Sequence, residues 1–189
     1  RYILPDYRVY LEKGCQFLDL PVPKDLDEVL DGLLILYSHV PSITTFPVYI
    51  GRLDELLEPF IEDEESAYIK IKRFLNHVDK TIPDSFCHAD IGPYDTRAGR
   101  LILRAIVELA SPTPNMTIRY DKQKTPRDFA ELAAKACLQV SKPSFANDAY
   151  YIRDLGEQYG IASCYNALPE CGGAYTLTRL RLGTIGRAC

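Results

Sequence analysis

Segments typical of strands and of helices alternate along the second half of the chain, and this alternation constrains the fold more than any other feature. The predicted order is strand 85–91, helix 94–109, strand 116–120, helix 125–140, short strand 143–146, a helix from 147 or 148 to 159, and strand 161–162. Such an order is typical of an α/β fold in which helices connect parallel strands. Active residues of these folds gather on loops at strand ends.

Apolar residues at helical spacing predict further helices in the first half, over 25–39, 53–60 and 63–78, with a short strand or strand-like loop at 46–51. Pro41 predicts the end of the first of these helices. Thr125 before a proline is typical of a helix N-cap. Gly160 is predicted to end the helix that precedes it.

Composition limits the classes of partner. The chain has 189 residues, 47% of them hydrophobic, and a net charge of −4 without a basic stripe or arm. We therefore expect neither a nucleic acid nor a membrane as partner. No signal peptide is recognisable, which predicts a cytoplasmic protein. Because the chain starts at Arg1 rather than Met and stops at Cys189 just after a strand-like run, we expect it to be part of a longer protein.

The six cysteines stand at long, irregular spacings without a CxxC motif, so we predict no disulfide framework, zinc site or iron–sulfur site. Cys15, Cys87 and Cys137 are interpreted as small buried hydrophobic residues. The acidic run 63–65 is predicted to be the solvated first turn of a helix, because no histidine stands near it at ligand spacing.

The stretch 160–179 carries the candidate for chemistry. Ile161 and Ala162 predict a buried strand that ends near Cys164, and a loop then continues to about Tyr175, where a second strand begins. A thiol at such a place is a candidate nucleophile if a base lies nearby. His88 stands at another strand end, so a Cys–His hydrolase is an open alternative.

Several segments resemble the glycyl radical enzymes: 114–120 (PNMTIRY), 142–148 (KPSFAND) and 160–166 (GIASCYN). Residues 46–60 (FPVYIGRLDELLEPF) and 172–177 (GGAYTL) are similar to one uncharacterised subfamily, the YjjI type. The resemblance extends from about Pro41 to Leu182, and the order and spacing of the segments make it specific.

This resemblance implies that residues 1–189 form a single partial domain, part of a ten-stranded α/β barrel of the pyruvate formate-lyase-like type. It places Cys164 at the thiyl radical position and implies anaerobic metabolism of a small-molecule substrate. The radical glycine would lie outside these residues and would be installed by an activating enzyme that uses S-adenosylmethionine and an iron–sulfur cluster. The chain would bind no cofactor directly, and the full-length protein would be a homodimer.

The chain also departs from the family pattern. It contains no R-V-x-G-Y glycyl motif, and Asn166 occupies the position at which dehydratase and decarboxylase branches carry a glutamate base. An amide does not take up a proton at neutral pH.

The predicted substrate-binding residues are Tyr165, Asn166, Glu170 and His88. For Glu170, the favoured interpretation is a solvated loop charge rather than a substrate-facing carboxylate. Two further interpretations of the whole chain stay open. One is an anaerobic ribonucleotide reductase-like protein, whose expected cysteine-rich zinc site is absent from this sequence, and the second is a non-catalytic structural fragment.

Overall fold

A parallel sheet forms the centre of the fold in the computed structural model, which describes residues 7–43, 48–81, 87–112, 114–157, 159–162 and 166–168. Its four strands pair in chain order and are β1 Val48–Arg52, β2 Cys87–Ile91, β3 Asn115–Tyr120 and β4 Ser144–Asn147. The predicted α/β fold with parallel strands is confirmed. The described residues do not show the ten-stranded barrel.

Helices connect the strands of this sheet, and most of them pack on one face of it. They are α1 Arg8–Lys13, α2 Leu26–Ile43, α3 Leu53–Leu57, α4 Glu64–Thr81, α5 Arg97–Leu109, α6 Arg127–Val140 and α7 Asp148–Leu155. Strand residues such as Ala89, Ile91 and Ile118 share one apolar core with α2, α4, α5 and α6. This core supplies most of the favourable burial energy of the described residues.

The opposite face of the sheet is polar although it is buried. Successive side chains of a strand point to opposite faces, so the residues between the core positions project away from the helices. These are Tyr49 of β1, His88 and Asp90 of β2, and Thr117 and Arg119 of β3, all of them buried. Parallel strands are normally apolar on both faces, so this polar face is the feature of the fold that points to a site.

Several helix ends differ from the prediction. The N-cap of α5 is Thr96, whose hydroxyl accepts a hydrogen bond from the Gly99 amide, so this helix starts later than predicted. Thr125 does not cap α6, because its Oγ1 accepts a hydrogen bond from the Asp121 amide at 3.0 Å. Helix α2 continues past Pro41 to Ile43, since proline removes one donor but keeps a helical φ.

The start of α7 agrees with the prediction, whereas its end lies earlier than predicted. Asn147 caps its start as predicted, accepting a hydrogen bond from the Tyr150 amide at 3.1 Å. The helix then ends at Leu155 because Gly156 takes a φ of 90°, a value that glycine adopts without strain. Gly160 therefore does not end a helix.

Gly160 instead begins strand β5 (Gly160–Ala162), which lies against β1 and β2. The predicted strand at 161–162 is thus confirmed. β5 pairs antiparallel with β6 (Asn166–Leu168), where a loop was predicted.

Among the cysteines, Cys15 and Cys87 are buried as predicted, whereas Cys137 is only half-buried. None of these three forms a disulfide. No helix among the described residues combines the length and the apolar character needed to cross a membrane.

Candidate functional site

The backbone that leads into β5 is fixed to the sheet by two arginines. Arg52, at the end of β1, donates from Nη2 to the carbonyl oxygen of Glu157 at 3.0 Å. Arg119, near the end of β3, donates from Nη1 to the same carbonyl at 3.3 Å and from Nη2 to the carbonyl of Tyr159. Residues 157 and 159 are therefore held at the carboxyl ends of two parallel strands, directly before β5.

Arg119 is the centre of a buried polar group that we name the Arg119 cluster: Tyr49, Asp90, Arg119, Asp148 and Tyr159. Arg119 Nε donates to Asp90 Oδ2 at 3.1 Å, and the Tyr49 hydroxyl donates to the same oxygen at 2.6 Å. The guanidinium lies 3.8 Å from the centroid of the Tyr159 ring. The Tyr159 hydroxyl donates to Asp148 Oδ1 at 2.9 Å, and that oxygen lies 3.8 Å from Arg119 Nη1.

Burial controls the protonation of this cluster. It raises the pKa of Asp90, while the Arg119 guanidinium and the Tyr49 hydroxyl oppose that rise. Burial, with the charge of Asp90, raises the pKa of Tyr49 well above its usual value. Burial also raises the pKa of Tyr159. Both phenols are therefore protonated at neutral pH and act as donors, with carboxylate oxygens as their acceptors.

Of the sequence-predicted site residues, the side chain of His88 alone belongs to the part that the structure describes. It is 3% exposed on the polar face of β2, with Tyr49 as its Cα partner in β1. Burial lowers the pKa of His88, so the imidazole is neutral at neutral pH. A neutral imidazole can accept or donate a proton, but it does not supply a fixed positive charge.

The remaining predicted residues belong to the cysteine loop. The backbone of Asn166 starts β6 and pairs with Ala162. Residues 163–165, which join β5 to β6, include Cys164 and Tyr165; these two, Glu170 and the strand expected from Tyr175 lie outside the described residues. Their roles, the Cys–His hydrolase, the ribonucleotide reductase-like protein and the structural fragment therefore stay untested predictions.

Sequence reasoning missed the Arg119 cluster, although one signal for it was present. Asp90 and Arg119 each stand between apolar residues in a segment predicted to be a parallel strand. A charged side chain at such a position must find an opposite charge in the interior. What the sequence does not contain is the identity of the partners, which come from four different elements and from the chain just before β5.

Within the described ranges, no three or more histidine, cysteine, aspartate or glutamate side chains lie together as metal ligands would. The charged side chains of the Arg119 cluster are bonded to one another and to backbone carbonyls. This cluster therefore orients protein groups and presents no ligand set for a metal.

The fold and the site define the class of protein: an α/β protein whose parallel sheet holds, on a buried polar face, the strand that leads to a cysteine. Comparison with known families gives the particular one. The chain belongs to the family described as "Glycyl radical enzyme YjjI-like", which matches residues 1–189. The family resemblance predicted from the sequence is confirmed.

Two relatives illustrate the match. The chain is 84% identical over 189 residues to an uncharacterized protein of Haemophilus influenzae, covering 100% of this chain and 37% of that protein. It is 46% identical over 188 residues to the uncharacterized protein YjjI of Escherichia coli, covering 98% of this chain and 36% of that protein. The chain thus spans little more than a third of the length of these curated relatives.

Proposed function

We propose that the protein containing this chain is a glycyl radical enzyme in which Cys164 carries the radical to a small-molecule substrate. The observation that carries the proposal is that Arg52 and Arg119 hold the chain directly before β5, the strand leading to Cys164, in a chain that belongs to this family. Hydrogen abstraction requires a sulfur atom held near the substrate carbon, and a strand whose entry is anchored to a buried sheet supports such a position.

In this mechanism the radical glycine, outside the chain and generated by a radical S-adenosylmethionine activating enzyme, supplies the unpaired electron. Cys164 gives its S–H hydrogen atom to that glycine and becomes a thiyl. The sulfur next takes a hydrogen atom from a substrate carbon and later returns one to the product, so that each transfer breaks one bond and forms one. His88, Tyr165, Asn166 and Glu170 are the proposed substrate contacts.

The sequential order of the four parallel strands, with the main helical layer on one face, supports a barrel that closes around this site and excludes water. Eliminations in this family use a base on the cysteine loop, and the Asn166 amide is not a base. Asn166 therefore supports a different type of reaction. Beyond this, the proposal specifies the substrate only as a small molecule. We also propose that the full-length protein is a homodimer.

The test uses the activated full-length protein and needs no substrate. Reversible transfer between Cys164 and the glycine carries solvent deuterium from S–D to the glycine Cα, which collapses the proton splitting of the glycyl electron paramagnetic resonance signal in D₂O. We expect Cys164→Ser to form the radical and retain the splitting. The control is Cys171, the other cysteine of the predicted loop, and Cys171→Ser should lose the splitting as the unaltered protein does. The reverse pattern would show that Cys164 is not the relay.

A further inference from the structure

We propose that Arg119 is a positioning residue that sets the place of β5, and through it the place of Cys164. This inference deepens the proposed function and rests on it for the role of the cysteine. It assigns the Arg119 cluster a task in hydrogen transfer in addition to its part in the fold.

The first argument is the set of bonds that Arg119 makes. Its side chain is 1% exposed, and its three nitrogens each donate to a different acceptor: Nε to Asp90 Oδ2, Nη1 to the Glu157 carbonyl and Nη2 to the Tyr159 carbonyl. One acceptor belongs to the sheet and two belong to the chain entering β5. A planar guanidinium with fixed donors can join both at once, whereas a lysine ammonium cannot reproduce that geometry.

The second argument is that the guanidinium itself has little freedom. Asp90 holds it from β2, the Tyr159 ring stacks on it at 3.8 Å, and Asp148 lies 3.8 Å away. Tyr49 fixes the Asp90 oxygen that Arg119 uses. Because these partners are themselves bonded, a displacement of Arg119 would break several of these contacts at once.

The third argument is the short path from the arginine to the thiol. The Tyr159 carbonyl is followed directly by β5, and β5 ends at Ala162, two positions before Cys164. We therefore expect a shift of the Tyr159 carbonyl to move the start of β5, and with it the chain that leads to the cysteine. A misplacement of about 1 Å can slow a positioned reaction by about 100-fold.

The closing experiment compares Arg119→Lys with Arg104→Lys in the full-length protein. Arg104 is a matched control: its guanidinium also lies over a tyrosine ring, 3.7 Å from the centroid of Tyr68, but it stands on α5 in the helical layer and pairs with Glu65. Arg52→Lys is the milder test, because Arg52 shares only the Glu157 carbonyl.

Two measurements separate positioning from general stability. Amide hydrogen exchange of the resting protein reports local opening of 157–168, and loss of a charge-assisted hydrogen bond should speed that exchange by about tenfold. The rate at which the glycyl signal loses its proton splitting in D₂O reports the Cys164–glycine transfer, and we expect Arg119→Lys to slow it about 10- to 100-fold at an unchanged radical yield.

Arg104→Lys should leave both rates unchanged, and Arg52→Lys should change both in the same direction by less than Arg119→Lys. The inference is overturned if Arg119→Lys and the unaltered protein have equal amide exchange rates over 157–168 and equal rates of loss of the proton splitting. It is also overturned if amide exchange in Arg119→Lys rises evenly over all peptides of the protein. If Arg119→Lys does not fold, Arg52→Lys decides by the same two measurements. Persistence of deuterium transfer in Cys164→Ser would instead overturn the proposed function and leave the amide result standing.

Discussion

Asp54 is a carboxylate in the interior whose protonation should affect stability at physiological pH. It is 0% exposed at the start of α3, and its Oδ2 accepts hydrogen bonds from the Gly92 amide at 2.9 Å and the Thr96 hydroxyl at 3.1 Å. Burial raises the pKa of Asp54 to about 7 from an ordinary value of 3.8, and the Gly92 bond opposes that rise. The folded state therefore binds a proton that the unfolded chain releases.

The corresponding prediction is a stability that falls as pH rises from about 4 to about 7, because over this range the native state holds the proton and the unfolded state does not. Asp54→Asn removes this contribution. The difference between the two unfolding free energies, that of the variant minus that of the unaltered protein, should therefore increase by about 2–4 kcal/mol as the pH rises over that range.

Denaturant unfolding of the full-length protein at pH 4.5, 6 and 8 measures the difference. His88, whose pKa is lowered, and Asp90, whose pKa is raised, are present in both proteins and cancel. A difference that stays constant with pH would contradict the assignment.

At the scale of elements, α1 and α2 approach each other at a glycine. A Cβ atom at Gly32 of α2 would lie 1.8 Å from the hydroxyl of Tyr10, a residue of α1 that is 3% exposed. The same hydroxyl donates to the Glu28 carbonyl at 3.1 Å. The close approach thus fixes α1 on α2 through one tyrosine.

We predict that Gly32→Ala destabilises the protein by about 1–2 kcal/mol, because the displaced tyrosine costs more than the better helix propensity of alanine returns. In a Tyr10→Leu background, the same substitution should become neutral or stabilising. Thermal unfolding of the four proteins of this double-mutant cycle checks the coupling. Additive effects of the two substitutions would mean that the Tyr10 side chain moves away from the new methyl group without a cost in free energy, which would contradict the prediction.

Elements were more predictable from the sequence than contacts. The order of strands and helices from 85 to 162 follows from hydrophobic periodicity, which is a local property. The starts of α5 and α6 were mispredicted, because Thr96 caps α5 and Thr125 binds the Asp121 amide in the folded chain. Arg119 was recognised only as part of a motif, since its partners Asp90 and Tyr159 are distant in sequence and are brought together by the sheet.

At the scale of the whole molecule, apolar side chains are exposed on β4, the last strand of the four-stranded sheet, and on the helices that precede and follow it in the chain. Leu138 is 88% exposed, Phe145 46% and Tyr150 51%. A strand at the edge of a sheet also presents unpaired backbone groups. We predict that the polypeptide 1–189, produced alone, self-associates as its concentration rises.

Light scattering coupled to size exclusion measures this association. Phe145→Lys places a charge on the edge strand and should reduce the association. The control is Phe17→Lys, at a residue that is 57% exposed in a short 3₁₀ turn remote in sequence from β4, and it should leave the association unchanged. A monodisperse monomer that unfolds cooperatively would contradict the prediction.

The arginine contacts with the Glu157 and Tyr159 carbonyls have a consequence for how this region tolerates change. Both acceptors are main-chain atoms, so the anchoring does not depend on the side chain at position 157. If Cys164 acts as proposed, the side chains beside it could be exchanged to suit a different reactant while the anchoring contacts stay in place. Placement and selectivity would then be encoded by separate parts of the sequence, and the segment after Tyr159 would be the target for redesigning substrate preference.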